Sequence, residues 1–174
     1  MWCRTAGCGL SQPPRSTAAS TGLVREDFDA SFADTASAHG LRAARTLWQG
    51  MRRASLDLAA AIKRANIRCD LVPEDLLHVA PRDGDAVRRL RREYDARRAA
   101  GFDHTWMTAT ALAREAALEG GGAIRTRGFA IDPFRACLGF AESAAGRGAM
   151  FFERTPARRI RAGRKSVVVT AGTG

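Results

Sequence analysis

The sequence LRAARTLWQGMRRASLDLAAAIKRA, residues 41–65, carries the clearest structural signal in the chain. Its apolar residues recur at steps of three and four, and they are Leu41, Ala44, Leu47, Trp48, Met51, Ala54, Leu58, Ile62 and Ala65. Steps of this size place side chains on one side of an α-helix, and most of the arginines fall outside the stripe. The stretch therefore predicts one long amphipathic helix that packs against the rest of the fold.

Shorter elements are predicted after this helix. The apolar run Leu76–Ala80 predicts a strand. Asp83 is placed to cap the helix that follows it, and Gly101 to end that helix in a left-handed conformation. Residues 104–107 predict another short strand, and either Thr108 or Thr110 starts the short helix that follows it.

Residues 123–131 predict a β-hairpin with a tight turn at Thr126 and Arg127. Asp132 and Pro133 then form a helix start, because Asp is a good N-cap and proline at the first helical position gives up no hydrogen bond. A hairpin of this kind adds two short antiparallel strands to the strands already predicted.

Two more strands are predicted at residues 149–152 and 165–170. Long helices together with short strands joined by hairpins are typical of α+β proteins. The predicted fold class is therefore α+β, with long helices packed on a small mixed or antiparallel sheet.

A run of small and hydroxyl-bearing residues, RSTAASTGL, occupies residues 15–23 after two prolines. Short side chains let a ligand approach the backbone closely, and the Ser and Thr hydroxyls offer donors and acceptors. The same composition is common in flexible linkers and at helix starts. The residues alone therefore leave three interpretations open: a ligand-contacting loop, a linker or a helix cap.

The order of the motifs resembles the FAD-dependent oxidoreductases of the D-amino-acid-oxidase type. In that family a small-residue loop wraps the flavin and leads into a substrate domain. An Arg- and Glu-rich helix, an Asp-Pro-aromatic-Arg helix and a Gly-Ala-x-x-Phe-Glu-x-Thr strand follow. The corresponding sequences here are RREYDARRAAGFD at 91–103, IDPFR at 131–135 and GAMFFERTP at 148–156. The resemblance covers residues 15–169.

The resemblance implies an activity and a set of cofactor contacts. The cofactor would be FAD, which accepts a hydride from a C–H bond next to an amine or hydroxyl group of a small-molecule substrate. The amine-oxidising branch is the nearer one. The implied flavin contacts are Ser16, Thr17, Ala18, Ser20 and Thr21, and the resemblance identifies no catalytic residue in this chain. Arg125 and Arg127 either face the substrate or belong to a solvated turn.

The family's dinucleotide-binding turn, Gly-x-Gly-x-x-Gly, does not occur in this sequence, because Gly7-Cys8-Gly9 is followed by LSQPP. The resemblance therefore implies an internal fragment that alone holds FAD weakly or not at all and is inactive. The expected division is an atypical segment at 1–14, a flavin-contacting loop and linker at 15–36, a substrate-type α+β domain at 37–152, and return strands toward the FAD domain at 153–174.

Residues 167–172 allow two alignments with the family. They match either the strand that ends against the flavin or the second strand of the hairpin that precedes it. The spacing from Ile160 to Val167 favours the hairpin.

The formal net charge of +10 and the pI near 11.0 are compatible with binding to nucleic acid or to acidic partners. However, the arginines are spread along predicted helices, and the basic stretch at 154–165 contains no aromatic residue. Such a distribution favours solvated helix faces over a nucleic-acid surface. A basic binding module and an inactive folded remnant remain the alternative functions.

No apolar run reaches membrane-spanning length, and residues 1–6 lack the apolar core of a signal peptide. We therefore expect a cytoplasmic protein with no membrane partner. The four cysteines, Cys3, Cys8, Cys69 and Cys137, lack the spacing of metal ligands, and the three histidines are isolated, so no metal site is expected. Cys69 and Cys137 are expected to be small buried residues.

Overall fold

The computed structural model describes residue 17, residues 19–152 and residues 155–172, and in them it forms five helices and six strands. The helices are α1 (Phe32–His39), α2 (Leu41–Arg64), α3 (Gly84–Ala99), α4 (Ala109–Ala116) and α5 (Pro133–Ala145). The strands are β1 (Leu23–Arg25), β2 (Val72–Ala80), β3 (Thr105–Thr108), β4 (Gly122–Ala130), β5 (Ala157–Ala162) and β6 (Val167–Ala171). The predicted α+β class is confirmed, and each strand pair in the described residues is antiparallel.

Strand β4 is the centre of the main sheet. It pairs along its whole length with β2 on one side, and on the other side its two ends pair with β1 and β3. The predicted hairpin at 123–131 is therefore wrong. Thr126 is not in a turn but lies opposite Leu76 with only 1% of its surface exposed. A β-branched residue suits such a buried strand, and the partner strand lies about fifty residues earlier in the chain.

Helix α2 confirms the long helix predicted for residues 41–65. It begins at Leu41 and ends at Arg64, one residue earlier than predicted. Its buried face consists of Ala44, Trp48, Ser55, Ala59 and Ile62. The predicted apolar stripe is wrong at Leu41 and Leu47, each about half exposed, and at Ala54, which is also exposed. The partners of α2 explain the narrower face, because one end packs on Phe32 and Phe102 and the other on Cys69 and Ala136.

The predicted helix caps are confirmed. The Asp83 carboxylate accepts the Ala86 N–H at 2.9 Å at the start of α3, and Gly101 follows that helix with a φ of +88°. Thr108 Oγ1 accepts the Ala111 N–H at 3.2 Å ahead of α4. Asp132 accepts the Arg135 N–H at 2.9 Å, with Pro133 in the first turn of α5. These side chains satisfy backbone donors that a helix start leaves without partners.

Three strand predictions need correction or extension. Residues 149–152 form no strand, because Met150, Phe151 and Phe152 are exposed and no strand of the described residues pairs with them. Strand β2 begins at Val72 rather than Leu76 and includes Pro73, which is tolerated because β2 is an edge strand of the described sheet. The strand predicted from residue 165 begins at Val167.

The hairpin expected near the end of the sequence is present. Strand β6 pairs with β5 in a separate two-stranded sheet, and every residue of both strands is exposed. Four of these residues are large and apolar, namely Ile160, Val167, Val168 and Val169.

Candidate functional site

The polar loop that precedes β1 forms a tight turn. The Ser20 N–H donates to the Thr17 carbonyl at 3.1 Å. Ser20 Oγ accepts the Gly22 N–H, and Thr21 Oγ1 accepts the Leu23 N–H, each at 3.4 Å. The structure therefore brings Thr17, Ser20 and Thr21 together, whereas Ser16 and Ala18 lie outside the described residues.

Gly22 joins this loop to the sheet. Its φ is +72°, and its carbonyl accepts the Ile131 N–H at 2.9 Å. A Cβ placed on Gly22 would lie 2.3 Å from the Ile131 carbonyl oxygen. Only glycine combines this conformation with this close approach, so Gly22 fixes the loop beside the start of α5.

An exposed apolar row lies directly beside the loop. Leu23 of β1 and Val72 of β2 both pair with Ala130 of β4, so their side chains lie on the same face of the sheet. Leu23 and Val72 are each 47% exposed. The loop and this row together, which we call the loop edge, combine hydroxyl groups with an uncovered apolar surface.

A buried ionic cluster fixes the chain immediately after β1. The carboxylate of Asp27 is fully buried and accepts hydrogen bonds from His78 Nε2 and Arg97 at 2.8 Å each, and from Arg25 Nε at 3.0 Å. Arg97 is 3% exposed and also donates to Glu93 Oε1 at 2.6 Å. We call Asp27, His78, Arg97, Glu93 and Arg25 the Asp27 cluster.

Glu93 links α3 to the start of α1. Its carboxylate accepts the N–H groups of Phe32 and Ala33 at 2.7 and 2.9 Å and the hydroxyl of Ser31 at 2.6 Å. The two N–H groups are free donors of a helix N-terminus, where a negative charge is favourable. Glu93 therefore acts as a cap supplied by a residue about sixty positions away.

Burial alone would raise the pKa of both acidic groups, but their partners outweigh it. The hydrogen bonds and positive charge of His78 and Arg97 hold the pKa of Asp27 well below its usual range. The N–H of Ala33, the hydroxyl of Ser31, the N–H of Phe32 and Arg97 lower the pKa of Glu93. Both groups are therefore ionised in the folded protein at neutral pH.

The Asp27 cluster was not predicted from the sequence. Arg97 was expected on a solvated helix face, and this is wrong because Arg97 is almost fully buried. The signal was present in the spacing, since Leu90, Glu93 and Arg97 continue the buried side of α3 at steps of three and four. A pair of opposite charges on such a side indicates a buried ion pair.

The two arginines of β4 have different surroundings. Arg125 and Arg127 are two positions apart on one strand, so they lie on the same face of the sheet and not in a turn. Arg125 forms ion pairs with Glu115 at 3.5 Å and Asp75 at 3.8 Å. Arg127 is exposed and has no ion pair among the described residues.

The described residues contain no group of three or more His, Cys, Asp or Glu side chains that could hold a metal ion. Cys69 is a buried free thiol, as expected, and Cys137 is half-buried. Burial, with the nearby charges of Asp70 and Asp132, raises the pKa of Cys69. Among the described helices, none is both long and apolar enough to cross a membrane.

The loop edge offers both hydrogen-bond donors and an apolar surface to a ligand. Ser20 Oγ and Thr21 Oγ1 each accept a backbone N–H, and no acceptor in the described residues takes either hydroxyl hydrogen. These hydrogens can be donated to the carbonyl or phosphate oxygens of a ligand. The exposed side chains of Leu23 and Val72 offer an apolar surface to a flat ring.

Comparisons with known proteins identify the family of this chain. The sequence matches the DAO family, described as FAD dependent oxidoreductase, over residues 11–174. The comparison with curated proteins gives no match.

Two solved structures have the same fold over 89% of this chain. Glycine oxidase from Geobacillus kaustophilus aligns with a TM-score of 0.62 at 22% identity and over 41% of its own chain. Glycine oxidase from Bacillus cereus ATCC 14579 aligns with a TM-score of 0.56 at 19% identity and over 40% of its chain. The chain thus spans about two fifths of the length of these structures. Because the family match extends over residues 11–174, this chain belongs to the DAO family of FAD-dependent oxidoreductases.

Proposed function

We propose that this chain supplies the flavin-contacting loop and part of the substrate-facing sheet of an enzyme that oxidises small amines with FAD. The family match over residues 11–174 carries the proposal. When bound, FAD accepts the hydride from the C–H bond next to the amine or hydroxyl group. An amine substrate is favoured over a hydroxy substrate because the two structures of similar fold are both glycine oxidases.

In this proposal the residues of the loop edge bind and orient the flavin. The hydroxyl groups of Thr17, Ser20 and Thr21 donate hydrogen bonds to it, and the sequence adds Ser16 and Ala18 to the same contact. Leu23 and Val72 cover part of the ring and keep water away from it. Excluding water from the site strengthens the hydrogen bonds and the electrostatic interactions inside it.

The Asp27 cluster has a positioning role in this proposal. It ties the residues after β1 to β2 and α3, and Glu26 adds ion pairs with Arg52 at 3.5 Å and His104 at 3.4 Å. The loop edge is therefore attached to a rigid part of the fold. A preformed loop loses less conformational entropy when it binds a ligand.

The test is to insert residues 15–172 in place of the matching segment of a glycine oxidase and to measure flavin absorbance per protein. Ala19 is exposed in the loop, so Ala19→Leu adds bulk where we expect the flavin to approach. The matched control is Ala54→Leu, on the exposed side of α2. We expect Ala19→Leu to lower flavin content with little change in melting temperature, and Ala54→Leu to change neither.

Ser16→Ala and Ala18→Leu extend the same experiment to the two predicted contacts outside the described residues. Ala18→Leu is expected to lower flavin content in the same way as Ala19→Leu. Full flavin content in both leucine variants would identify the loop as a linker or cap and refute the proposal.

A further inference from the structure

A cleft of about 600 Å³ lies between the residues that precede α1 and one side of α3. It is separate from the loop edge, none of whose residues lines it. Its apolar wall includes Phe28, Ala86 and Leu90. Its size is within the range of pockets that hold small molecules.

The arginines of α3 differ in whether they have partners. Four of the six are paired, in the contacts Arg88–Asp85, Arg91–Asp95, Arg97–Glu93 and Arg98–Tyr94. The remaining two, Arg89 and Arg92, are exposed and have no acidic partner among the described residues. Both line the cleft. Their spacing of three residues places the two side chains on one side of the helix, so both guanidinium groups can reach the same ligand.

The acidic groups in and behind the cleft do not neutralise this pair. Glu93 lines the cleft and is held by Arg97 and by the start of α1. Asp27 lies outside the lining and is held by Arg97, His78 and Arg25. Asp29 at the rim is paired with Arg25 at 2.6 Å. The acidic group at the rim without an ion pair in the described residues is Asp34.

We propose that this cleft binds a small anion with an apolar body. The oxyanion head, a phosphate or a carboxylate, is held by Arg89 and Arg92, and the body packs on Phe28, Ala86 and Leu90. Planar guanidinium groups bind such heads through paired hydrogen bonds, which are stronger than bonds between neutral groups. The site does not depend on flavin binding.

The experiment titrates the purified 174-residue chain with phenyl phosphate, phenylacetate and inorganic phosphate, and follows the backbone amide NMR signals. We expect saturable binding of the two aromatic anions, with shifts at residues 31–34 and 89–93. Inorganic phosphate should bind more weakly because it lacks the apolar body. The comparison of phenyl phosphate with phenylacetate shows which head the cleft prefers.

Variants identify the residues responsible. The double variant Arg89→Ala/Arg92→Ala should weaken binding by about tenfold or more, because both charged donors are lost. The control Arg88→Ala/Arg98→Ala removes the same two charges from the same helix outside the cleft and should change the affinity by less than about twofold. Asp34→Asn should strengthen binding, since it removes a like charge from the rim.

Two results would overturn the proposal. One is equal weakening in the two double variants, which would show attraction to overall positive charge. The other is no saturable binding, or shifts confined to residues outside the cleft. All the substituted side chains are exposed, so the variants are expected to fold.

Discussion

At Gly22 the chain turns from the polar loop into β1 with a φ of +72°, and a Cβ there would meet the Ile131 carbonyl oxygen at 2.3 Å. We expect Gly22→Ala to lower the free energy of unfolding by roughly 1–3 kcal/mol, the cost of a strained backbone position. The control is Gly50→Ala in α2, where nothing lies within 4 Å of the added Cβ. It should raise stability by up to about 1 kcal/mol, because alanine is the better helix former. Urea unfolding of both variants measures the difference, and equal effects would contradict the role given to Gly22.

Glu93 accepts four hydrogen bonds, one from Arg97 and three from the start of α1. Glu93→Gln keeps the shape but removes the charge that balances Arg97, and we expect a loss of about 3 kcal/mol, as for other broken buried ion pairs. The control is Asp57→Asn, whose partner Arg53 is exposed on α2. That substitution should cost less than about 1 kcal/mol. A loss for Glu93→Gln as small as for the control, measured by urea unfolding, would show that the cluster contributes no stability.

The lowered pKa values of Asp27 and Glu93 give stability a defined pH dependence. In the unfolded chain such groups titrate near pH 4, so their contribution is complete above that value and decreases as the pH falls further. We expect the melting temperature to decrease below about pH 4 because the unfolded state binds more protons there. Asp27→Asn should be less stable at neutral pH and show a flatter decrease. Parallel curves for the two proteins would show that Asp27 does not contribute to the pH dependence.

At the scale of elements, β4 determines how the sheet is assembled. Thr126 faces the covered side of the sheet, and the neighbouring Arg127 is exposed. Thr126→Asp places a charge without a partner in the interior and should destabilise the protein by several kcal/mol or prevent folding. Arg127→Asp should be tolerated. Circular dichroism melts of the two variants test this, and a hairpin turn at these positions would tolerate both substitutions.

At the scale of the whole molecule, the chain contains no Gly-x-Gly-x-x-Gly turn for the pyrophosphate of a dinucleotide. The loop supplies a few hydrogen bonds, each worth about 1 kcal/mol net. These hydrogen bonds cannot offset the free-energy cost of association, which is at least about 4 kcal/mol. We therefore expect the purified 174-residue chain to lose FAD during gel filtration. Stoichiometric flavin absorbance after the column would contradict this expectation and would show that the loop edge alone is a complete site.

The long helix α2, the caps Asp83, Thr108 and Asp132, and the family could be identified from the sequence. Helix periodicity and capping depend on residues within a few positions of one another, so neighbouring residues are sufficient to encode them. The flavin contacts proposed for Ser16–Thr21 remain a prediction, because they rest on the family resemblance.

Tertiary structure alone decided the path of β4 and the formation of the Asp27 cluster. Thr126 and Arg127 were predicted to form a turn. However, the nine residues of β2 pair with β4 and hold it extended. Arg97 was expected on a solvated helix face. However, it donates a hydrogen bond to Asp27, which lies 70 positions away in the sequence. The sequence by itself determined helix α2, the caps of α3, α4 and α5, and the family, because those signals are local or lie in ordered motifs. Strand pairing and charge burial depend on residues that come together only when the chain folds.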